Sequence, residues 1–506
     1  MSLVIVFGAG INGAALAREL ILAGSDVVVV DSADLAFGTT AYSSRLVHGG
    51  LRYLEFADTP LVRESLDERE RLLTLAPAYV KPLEFRVPVE RRLGGFLDGL
   101  GKLLFGGKYK PRSRRGLWVV RFGLWWYDAL ARTSTLPKSR VLRREPGAAL
   151  AERYGRLLSY YDAQMRFPEQ FTAALLADAR QAADEAGRLF AVHTYSGASV
   201  DGSSIIVTDD LSVTHTYRPA AIVNAAGPWG DDIRQALGYT GKRLIGGTKG
   251  SHIVVYRDDL RRALGDAALY AEAPDGRPVF VIPFGAAVLI GTTDLPYDDD
   301  PADAVASEQE LDYLINLTNT LLPGCAIDRG DVTLHYSGVR PLPHVDAATT
   351  AAITRRHAIV EHAGGPWPAW TLVGGKLTTC RALAEETAAV VLKKLGRTPA
   401  ANSRERPIPA IYEAPPLAGD DTRSVVGTTW PRGQVRHIIR TQWVRRLEDL
   451  VERRLMLLFE PRLERATLAE LAELLVLEGR LYEHQAEAAI ARTVARLADH
   501  FGRKVS

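Results

Sequence analysis

The chain has 506 residues, of which 47% are hydrophobic, and this size predicts a large buried core divided between two or three domains. Its 62 basic and 60 acidic residues leave a net charge of +2, which gives no argument for nucleic-acid binding. Two cysteines are too few for a disulfide framework or a cysteine-rich metal site, and no apolar run reaches the length of about 18 residues that a membrane-spanning helix needs.

The N-terminal residues follow the order strand, glycine turn, helix, strand and acid. An apolar run over 3–7 precedes Gly8-Ala9-Gly10-Ile11-Asn12-Gly13, a helix-forming stretch covers 14–20, and the valines 27–30 end at Asp31. This is the dinucleotide-binding fingerprint in its required context. The glycines permit a tight turn, a close approach of the backbone to a pyrophosphate, and helix packing on the strand, while Asp31 can accept hydrogen bonds from a ribose. The motif alone does not distinguish FAD from NAD.

A polar segment over 37–45 and the run His48-Gly49-Gly50-Leu51-Arg52-Tyr53-Leu54-Glu55 follow this fingerprint. They combine hydroxyls, paired glycines, a histidine and arginines, which is unusual for an ordinary loop. An amphipathic helix is predicted over 61–75, and the prolines after it predict extended chain.

A basic segment over 102–126 contains seven lysines and arginines and three tryptophans, and no acidic residue lies between Asp98 and Asp128. Basic residues beside interfacial tryptophans are attracted by an anionic bilayer surface. A solvated loop followed by a helix whose tryptophans enter the core is the other interpretation. The aromatics are not interleaved with the charges, which argues against nucleic acid.

The middle of the chain alternates helices and strands. We predict helices over 169–187, 307–322 and 380–396, short strands between 188 and 217, and strands over 220–227, 251–256, 279–283 and 288–291. Gly374-Gly375-Lys376-Leu377-Thr378-Thr379 opens the helix that begins at 380. Residues 397–433 are typical of a linker, and 434–506 are predicted to be helical throughout, with Pro461 as the main break.

These motifs, in this order, resemble those of the FAD-dependent glycerol-3-phosphate dehydrogenase family, within the D-amino-acid-oxidase-like flavoprotein fold. The resemblance covers about residues 1–400 and rests on the segments over 8–13, 43–55, 224–229, 249–252, 291–294, 336–342, 353–355 and 374–379. The 48–55 and 374–379 segments are more specific than the glycine fingerprint, and they favour non-covalently bound FAD.

The resemblance implies an α/β fold with a Rossmann-like FAD-binding domain, an inserted mixed-sheet substrate domain and a C-terminal helical domain. The FAD-binding part would take 1–80, 155–235 and 335–400, and the substrate domain 81–154 and 236–334. A linker over 401–433 would lead to the helical domain over 434–506.

The resemblance also assigns cofactor contacts. The expected cofactor-binding residues are Gly8, Gly10, Asn12, Gly13, Asp31, Thr39, Thr40, Ser43, Ser44, Arg45, His48, Gly49, Gly50, Ala226, Gly227, Gly375, Lys376, Leu377 and Thr378. No metal ligands are expected.

A phosphorylated substrate needs fixed cations, and four candidates lie inside the matched motifs: Arg52, Arg340, Arg355 and Lys376. Each arginine could instead pair with a structural acid. Tyr53 and His252 complete the expected substrate-binding set.

The proton of the substrate hydroxyl needs a base, and the sequence gives a short list. His48 and His252 can titrate near neutral pH, and His48 takes first place because it follows the presumed flavin-contacting segment. His48 could instead only hydrogen-bond the cofactor. Lys376 is the rival base, since burial beside arginines lowers the pKa of a lysine.

The function implied by the resemblance is oxidation of sn-glycerol 3-phosphate to dihydroxyacetone phosphate, with electrons passed through FAD to a quinone. One alternative is a flavin oxidase of the same fold acting on an amino or hydroxy acid; another is a catalytically silent membrane-associated flavoprotein. A cytoplasmic protein is expected because the fingerprint begins at residue 8 and cysteines are few. Peripheral membrane contact through 102–126 and a homodimer are further expectations.

Overall fold

The computed structural model describes residues 2–51, 58–90, 117–131, 135–273, 277–345, 356–412 and 417–506. Its strands, in chain order, are β1 (Leu3–Phe7), β2 (Asp26–Val30), β3 (Leu46–Val47), β4 (Val80–Val89), β5 (Arg140–Arg143), β6 (Arg156–Met165), β7 (Phe190–His193), β8 (Ser196–Asp201), β9 (Ser204–Asp209), β10 (Thr214–Tyr217), β11 (Ala221–Asn224), β12 (Ile245–Val255), β13 (Ala267–Glu272), β14 (Pro278–Phe284), β15 (Ala287–Gly291), β16 (Leu295–Pro296), β17 (Val332–Pro343), β18 (Ala358–His362) and β19 (Ala369–Val373).

The α-helices of the described residues are α1 (Ile11–Leu22), α2 (Thr59–Leu75), α3 (Leu117–Leu130), α4 (Pro168–Ala186), α5 (Gly230–Ala236), α6 (Asp258–Leu264), α7 (Glu308–Leu321), α8 (Cys380–Lys394), α9 (Arg432–Thr441), α10 (Arg465–Leu477) and α11 (Ala486–Phe501). The helices predicted over 61–75, 169–187, 307–322 and 380–396 are confirmed to within two residues at each end. The predicted α/β fold is confirmed.

Six strands form the sheet that carries the glycine fingerprint, in the order β18-β19-β11-β1-β2-β7. All neighbouring pairs are parallel except β18 with β19. Strands β1 and β2 are buried along almost their whole length, because α1, α4 and α8 cover one face of the sheet and strand β9 packs on the other. Because the chain leaves β1 toward β2 on one side and returns as β11 on the other, a crevice opens at the carboxyl end of β1.

A second sheet contains ten strands of the described residues and includes β4, β6, β12 and β17, and a three-stranded sheet is formed by β8, β9 and β10. In the ten-stranded sheet β4 pairs in parallel with β13 and antiparallel with β6, so the sheet is mixed. Strand β6 lies in a part of the chain that the sequence assigns to the FAD-binding domain. The domain bounds stay a prediction.

The C-terminal region is less uniformly helical than expected. Its helices α9, α10 and α11 are interrupted at 442–446, around Pro461 and again at 478–485, with a π-helical turn over Asp449–Arg454. The first interruption has a local cause, because the carboxylate of Asp449 accepts hydrogen bonds from the backbone N–H groups of Arg445 and Arg446, both at 2.9 Å. The prediction of a helix throughout 434–506 is therefore wrong at this point.

Candidate active site

A cavity of about 540 Å³ lies at the carboxyl ends of β1, β2, β11 and β19. This is the size and the position expected for a nucleotide or substrate site in an α/β sheet. Among the predicted cofactor-binding residues, those that line it are Gly8, Gly10, Asn12, Asp31, Thr39, Thr40, Ser43, Ala226, Gly227, Gly375, Lys376 and Leu377.

The first glycine turn has no space for side chains. Gly8 has φ of +101°, and a Cβ placed there would lie 2.5 Å from the carbonyl oxygen of Ala225. Gly13 does not line the cavity, and a Cβ on it would lie 1.9 Å from the carbonyl oxygen of Gly8. Gly13 therefore serves the packing of α1 on the turn, and α1 directs its N-terminus at the cavity, where an anion is favoured.

Asp31 lies at the end of β2, and its carboxylate is held by backbone groups. Its two oxygens accept hydrogen bonds from Ala9 N–H at 2.6 Å and from Ala33 N–H at 2.9 Å. Burial raises the pKa of Asp31 to about 6, against the effect of these two donors. The carboxylate thus fixes the turn after β1 and lines the cavity, and its contact with a ribose stays a prediction.

A second glycine turn follows β19 and closes the cavity on the opposite side. Gly375 has φ of +94°, and a Cβ there would lie 2.6 Å from Nδ2 of Asn12. That amide donates a hydrogen bond to Gly374 O at 3.4 Å, while the buried Oδ1 of Asn12 has no partner among the described residues. Two backbone turns without side chains and an unsatisfied acceptor fit a flat cofactor that approaches closely and carries a donor.

His48 lies beside this second turn. Its backbone N–H donates to Oγ1 of Thr378 at 3.1 Å, and that hydroxyl donates back to His48 O at 3.3 Å. Burial, together with the nearby charge of Lys376, lowers the pKa of His48 to about 4 against the opposing effect of Asp162. The imidazole is therefore neutral at neutral pH and can accept a proton.

The turn after His48 rests on a buried polar cluster. The N–H of Gly49 donates to the hydroxyl of Tyr127 at 2.9 Å, and that hydroxyl donates to Asp162 at 2.7 Å. Asp162 also accepts from Arg69 at 2.7 Å. Gly49 and Gly50 thus lie behind the cavity and not among the residues that line it.

The structure places two of the four predicted phosphate-binding cations. The guanidinium of Arg340 contacts the carboxylate of Asp294 and the hydroxyl of Thr292, both at 3.1 Å, and the ammonium of Lys376 donates to Ser65 at 3.3 Å. Arg340 is thus partly neutralised. Arg52, Tyr53 and Arg355 lie outside the described residues, so the convergence of four cations stays a prediction.

His252 and Ser44 are adjacent but deeply placed. Ser44 Oγ and His252 Nε2 are hydrogen-bonded at 2.9 Å, and the imidazole stacks on the ring of Tyr336 with centroids 4.8 Å apart. Burial, and then the charges of Arg340 and Arg45, hold the pKa of His252 well below its usual range. His252 is 1% exposed, so its role as a substrate contact is not supported by this geometry.

Arg45 does not reach the cavity. Its guanidinium forms a buried two-point ion pair with Glu169 at 2.6 and 2.9 Å, and it also donates to the carbonyl oxygen of Ala41. The ring of Phe459, from the C-terminal region, lies 4.6 Å below it. The predicted cofactor contact of Arg45 is therefore replaced by a structural ion pair with a residue at the start of α4.

Several cavity residues were missed from the sequence. Phe37, Ser196, Trp229 and Pro341 all line the cavity. Trp229 ends the matched segment over 224–229, so its place in that segment was a usable signal. Ser196 lies at the start of a short strand and carries no signal. Within the described residues, no cluster of histidine, cysteine and acidic side chains could hold a metal ion.

Comparisons with known proteins agree with this geometry. The sequence profile of the family described as FAD dependent oxidoreductase matches residues 4–389. The chain is 36% identical over 453 residues to the glycerol-3-phosphate dehydrogenase of Synechocystis sp., covering 86% of this chain and 78% of that protein. It is also 36% identical over 389 residues to the D-erythritol 1-phosphate dehydrogenase of Brucella abortus, covering 75% of this chain and 71% of that protein.

The aerobic glycerol-3-phosphate dehydrogenase of Escherichia coli is 35% identical over 390 residues, covering 75% of this chain and 71% of that protein. Among solved structures, the FAD complex of the glycerol-3-phosphate dehydrogenase from Bacillus halodurans shares the fold with a TM-score of 0.70 at 20% identity, covering 99% of this chain and 95% of that chain. The profile match spans the whole cavity, from the first glycine turn to α8. The chain therefore belongs to the FAD-dependent glycerol-3-phosphate dehydrogenase family of oxidoreductases, and FAD is its cofactor.

Proposed function

We propose that this protein oxidises the secondary hydroxyl of sn-glycerol 3-phosphate, giving dihydroxyacetone phosphate, and passes the electrons to a quinone. Bound FAD supplies the hydride acceptor. One observation carries the proposal: Lys376 lines the cofactor cavity and lies close enough to His48 to lower its pKa. A fixed cation for a phosphate and a neutral base for a hydroxyl proton are thus neighbours.

In this mechanism the residues of the chain hold the substrate and move one proton. Lys376 and Arg340, joined by Arg52, Tyr53 and Arg355, bind the phosphate dianion, for which guanidinium groups supply a planar fork and lysine a point charge. The imidazole of His48 accepts the hydroxyl proton as the carbon-bound hydrogen leaves. Holding these groups in one geometry converts a bimolecular reaction into a step within a complex.

D-Erythritol 1-phosphate is a second candidate substrate, because a relative named for it is 36% identical to this chain over its 389 matched residues. Both candidates are phosphate monoesters of a polyol. The experiment is anaerobic addition of each ester, and in parallel of a panel of amino and hydroxy acids, to the purified flavoprotein, followed by flavin absorbance. We expect bleaching by sn-glycerol 3-phosphate. Bleaching only by amino or hydroxy acids would support the oxidase alternative, and no bleaching at all would support a silent flavoprotein.

Arg340 provides the test of the phosphate site. Replacing it with alanine removes a charge-assisted hydrogen bond, worth about 1.5–3 kcal/mol, so the KM for the phosphate ester is expected to rise by about 10–100-fold. Steady-state kinetics with FAD-saturated protein measures this. Arg329→Ala is the matched control, because Arg329 is exposed and pairs with Glu308. An unchanged KM in Arg340→Ala would remove Arg340 from the phosphate site.

Electron transfer to a quinone calls for contact with a membrane surface, and we propose that α3 provides it. Trp118, Phe122 and Trp125 share one face of this helix and are 49%, 57% and 61% exposed, while Leu124 and Tyr127 on the other face are buried. The guanidinium of Arg121 lies 5.4 Å from the ring of Trp118. The basic residues over 102–116, which belong to the segment predicted to contact a membrane, lie outside the described residues. Within the described part of the chain, no helix is long and apolar enough to cross a membrane.

The test is binding of the holoprotein to vesicles that contain anionic lipid. Trp118→Ser combined with Trp125→Ser removes two interfacial aromatics, and we expect vesicle affinity to fall by about tenfold or more, with flavin reduction by substrate unchanged. Leu211→Ser, at a residue 74% exposed in the turn after β9, is the control. Equal sedimentation of all three proteins with vesicles would contradict the assignment of α3.

A further inference from the structure

A second cavity, of about 240 Å³, lies between the edge strand β7 and the C-terminal helices. We call it the arginine pocket, because its lining includes Arg180, Arg440, Arg445 and Arg480, together with Asp209 and Trp443. It is separate from the cofactor cavity, and the two share Ser196 as a wall. The proposed oxidation does not use it.

The lining of the arginine pocket is strongly positive. It holds four guanidinium groups and a single carboxylate, that of Asp209. Arg445 is neutralised by Asp209 at 3.1 Å and Asp210 at 2.7 Å, and Arg440 is held by Glu478 at 2.8 Å. Among the described residues neither Arg180 nor Arg480 forms an ion pair with a carboxylate, although the charge of Asp184 acts on Arg180 from a longer distance.

Arg180 is fixed in place without such a partner. It donates to the carbonyl oxygen of Thr441 at 3.2 Å, and its guanidinium lies 3.9 Å from the centre of the Trp443 ring. Burial lowers the pKa of Arg180, so the charged form is held at a cost. A planar donor that is already ordered loses little entropy when an anion binds, and the charge of Arg180 is not neutralised by an ion pair.

We propose that the arginine pocket binds a small phosphorylated anion, held by Arg180 and Arg480 and completed by Arg440 and Arg445. Arginine forks match the oxygens of a phosphoryl group at two points, and the excess of positive charge makes a multivalent anion the fitting occupant. Chloride is a poor substitute, because it carries one charge and has no pair of oxygens for the arginine fork to bind. The proposal is independent of the substrate of the oxidoreductase site.

The experiment is titration calorimetry of the FAD-saturated protein at constant ionic strength, with inorganic phosphate in one arm and inorganic pyrophosphate in the other. Loaded FAD keeps the probes out of the cofactor cavity. We expect saturable binding of pyrophosphate, tighter than that of phosphate. Arg180→Gln and Arg480→Gln should each raise the dissociation constant by about tenfold or more. Arg480 is exposed, so its variant is expected to fold even if Arg180→Gln does not.

Two controls separate this site from others. Arg465→Gln removes an exposed arginine that pairs with Glu487, and it should leave the affinity unchanged. Lys376→Met alters the substrate site and should also leave it unchanged. Absence of saturable binding overturns the proposal, and so does binding that Lys376→Met abolishes while the two pocket variants retain it.

Discussion

Replacing His48 with asparagine is expected to lower kcat by about 10²–10⁴-fold, the usual contribution of a positioned general base. The asparagine side chain keeps polarity at the site but cannot accept a proton. The backbone N–H of His48 still reaches Thr378, so the turn that follows β3 is expected to persist and the protein to retain FAD. The measurement is single-turnover flavin reduction by substrate, followed under anaerobic conditions.

The pH dependence distinguishes His48 from its rival. A base whose pKa is held below the ordinary value of a histidine loses activity only at acid pH, so kcat at saturating substrate should be flat around neutrality. The ratio kcat/KM is a poorer probe, because the second pKa of a phosphate monoester, about 6, enters it. If Lys376 were the base, kcat would rise with pH through neutrality. Lys376→Met, and not His48→Asn, would then lose the proton-transfer step. His484→Asn, at an exposed histidine stacked on Tyr482, is the control.

The glycine turns could be predicted because their chemistry is local. Gly8 and Gly375 need positive φ and close backbone approach, and both requirements are written in short runs of sequence next to strand and helix patterns. The meeting of the ends of β1, β2, β11 and β19 could be predicted as well, since parallel strands bring their carboxyl ends to one edge of the sheet. The carboxylate of Asp31 also accepts a hydrogen bond from the backbone of the turn after β1, a contact that the sequence did not indicate, and its contact with a ribose stays a prediction.

Long-range partners could not be predicted in this way. Arg45 stands in the polar segment over 37–45, yet its partner Glu169 lies 124 residues further on, and nothing local to either residue pairs them. His252 similarly fits a functional histidine by type, and only the stacked ring of Tyr336 and the hydroxyl of Ser44 reveal its burial. A motif specifies which residue types are needed, whereas packing decides which of them reach the cavity.

The docking of the C-terminal region on the cofactor domain is another feature that sequence reasoning missed. The loop that follows β2 lines the cofactor cavity at Asp31 and again at Phe37. Between them, Asp34 points the other way and meets Arg453 and Arg454 of the π-helical turn. Arg453 also lies 5.7 Å from the ring of Phe37. The C-terminal region thus contacts the side of this loop that is turned away from the cofactor cavity.

Asp34→Asn tests this attachment, and we expect it to be strongly destabilising. Asp34 is 0% exposed. Its carboxylate accepts hydrogen bonds from Arg454 at 2.7 and 2.9 Å and from Arg453 at 2.6 Å. Against the cost of burial, these guanidinium groups hold the pKa of Asp34 below its usual range. Because the pKa is lowered in the folded state, the stabilisation is present above about pH 4, the unfolded value, and is lost as the pH falls through the folded one.

At neutral pH, removing one partner of a buried ion pair costs about 3–5 kcal/mol, since the remaining charges stay buried. With an unfolding entropy of about 2.1 cal/mol/K per residue, that loss lowers the midpoint of thermal unfolding by about 3–5 °C for 506 residues. Asp298→Asn is the matched control, because Asp298 is 76% exposed and pairs with Arg243 at 3.0 Å, and its midpoint should shift by less than about 1 °C. Equal midpoints for the two variants, measured at one scan rate, would mean that the buried cluster adds no more to stability than a surface pair. The C-terminal region would then have to be held mainly by its other contacts, which include the ion pairs of Arg445 with Asp209 and Asp210.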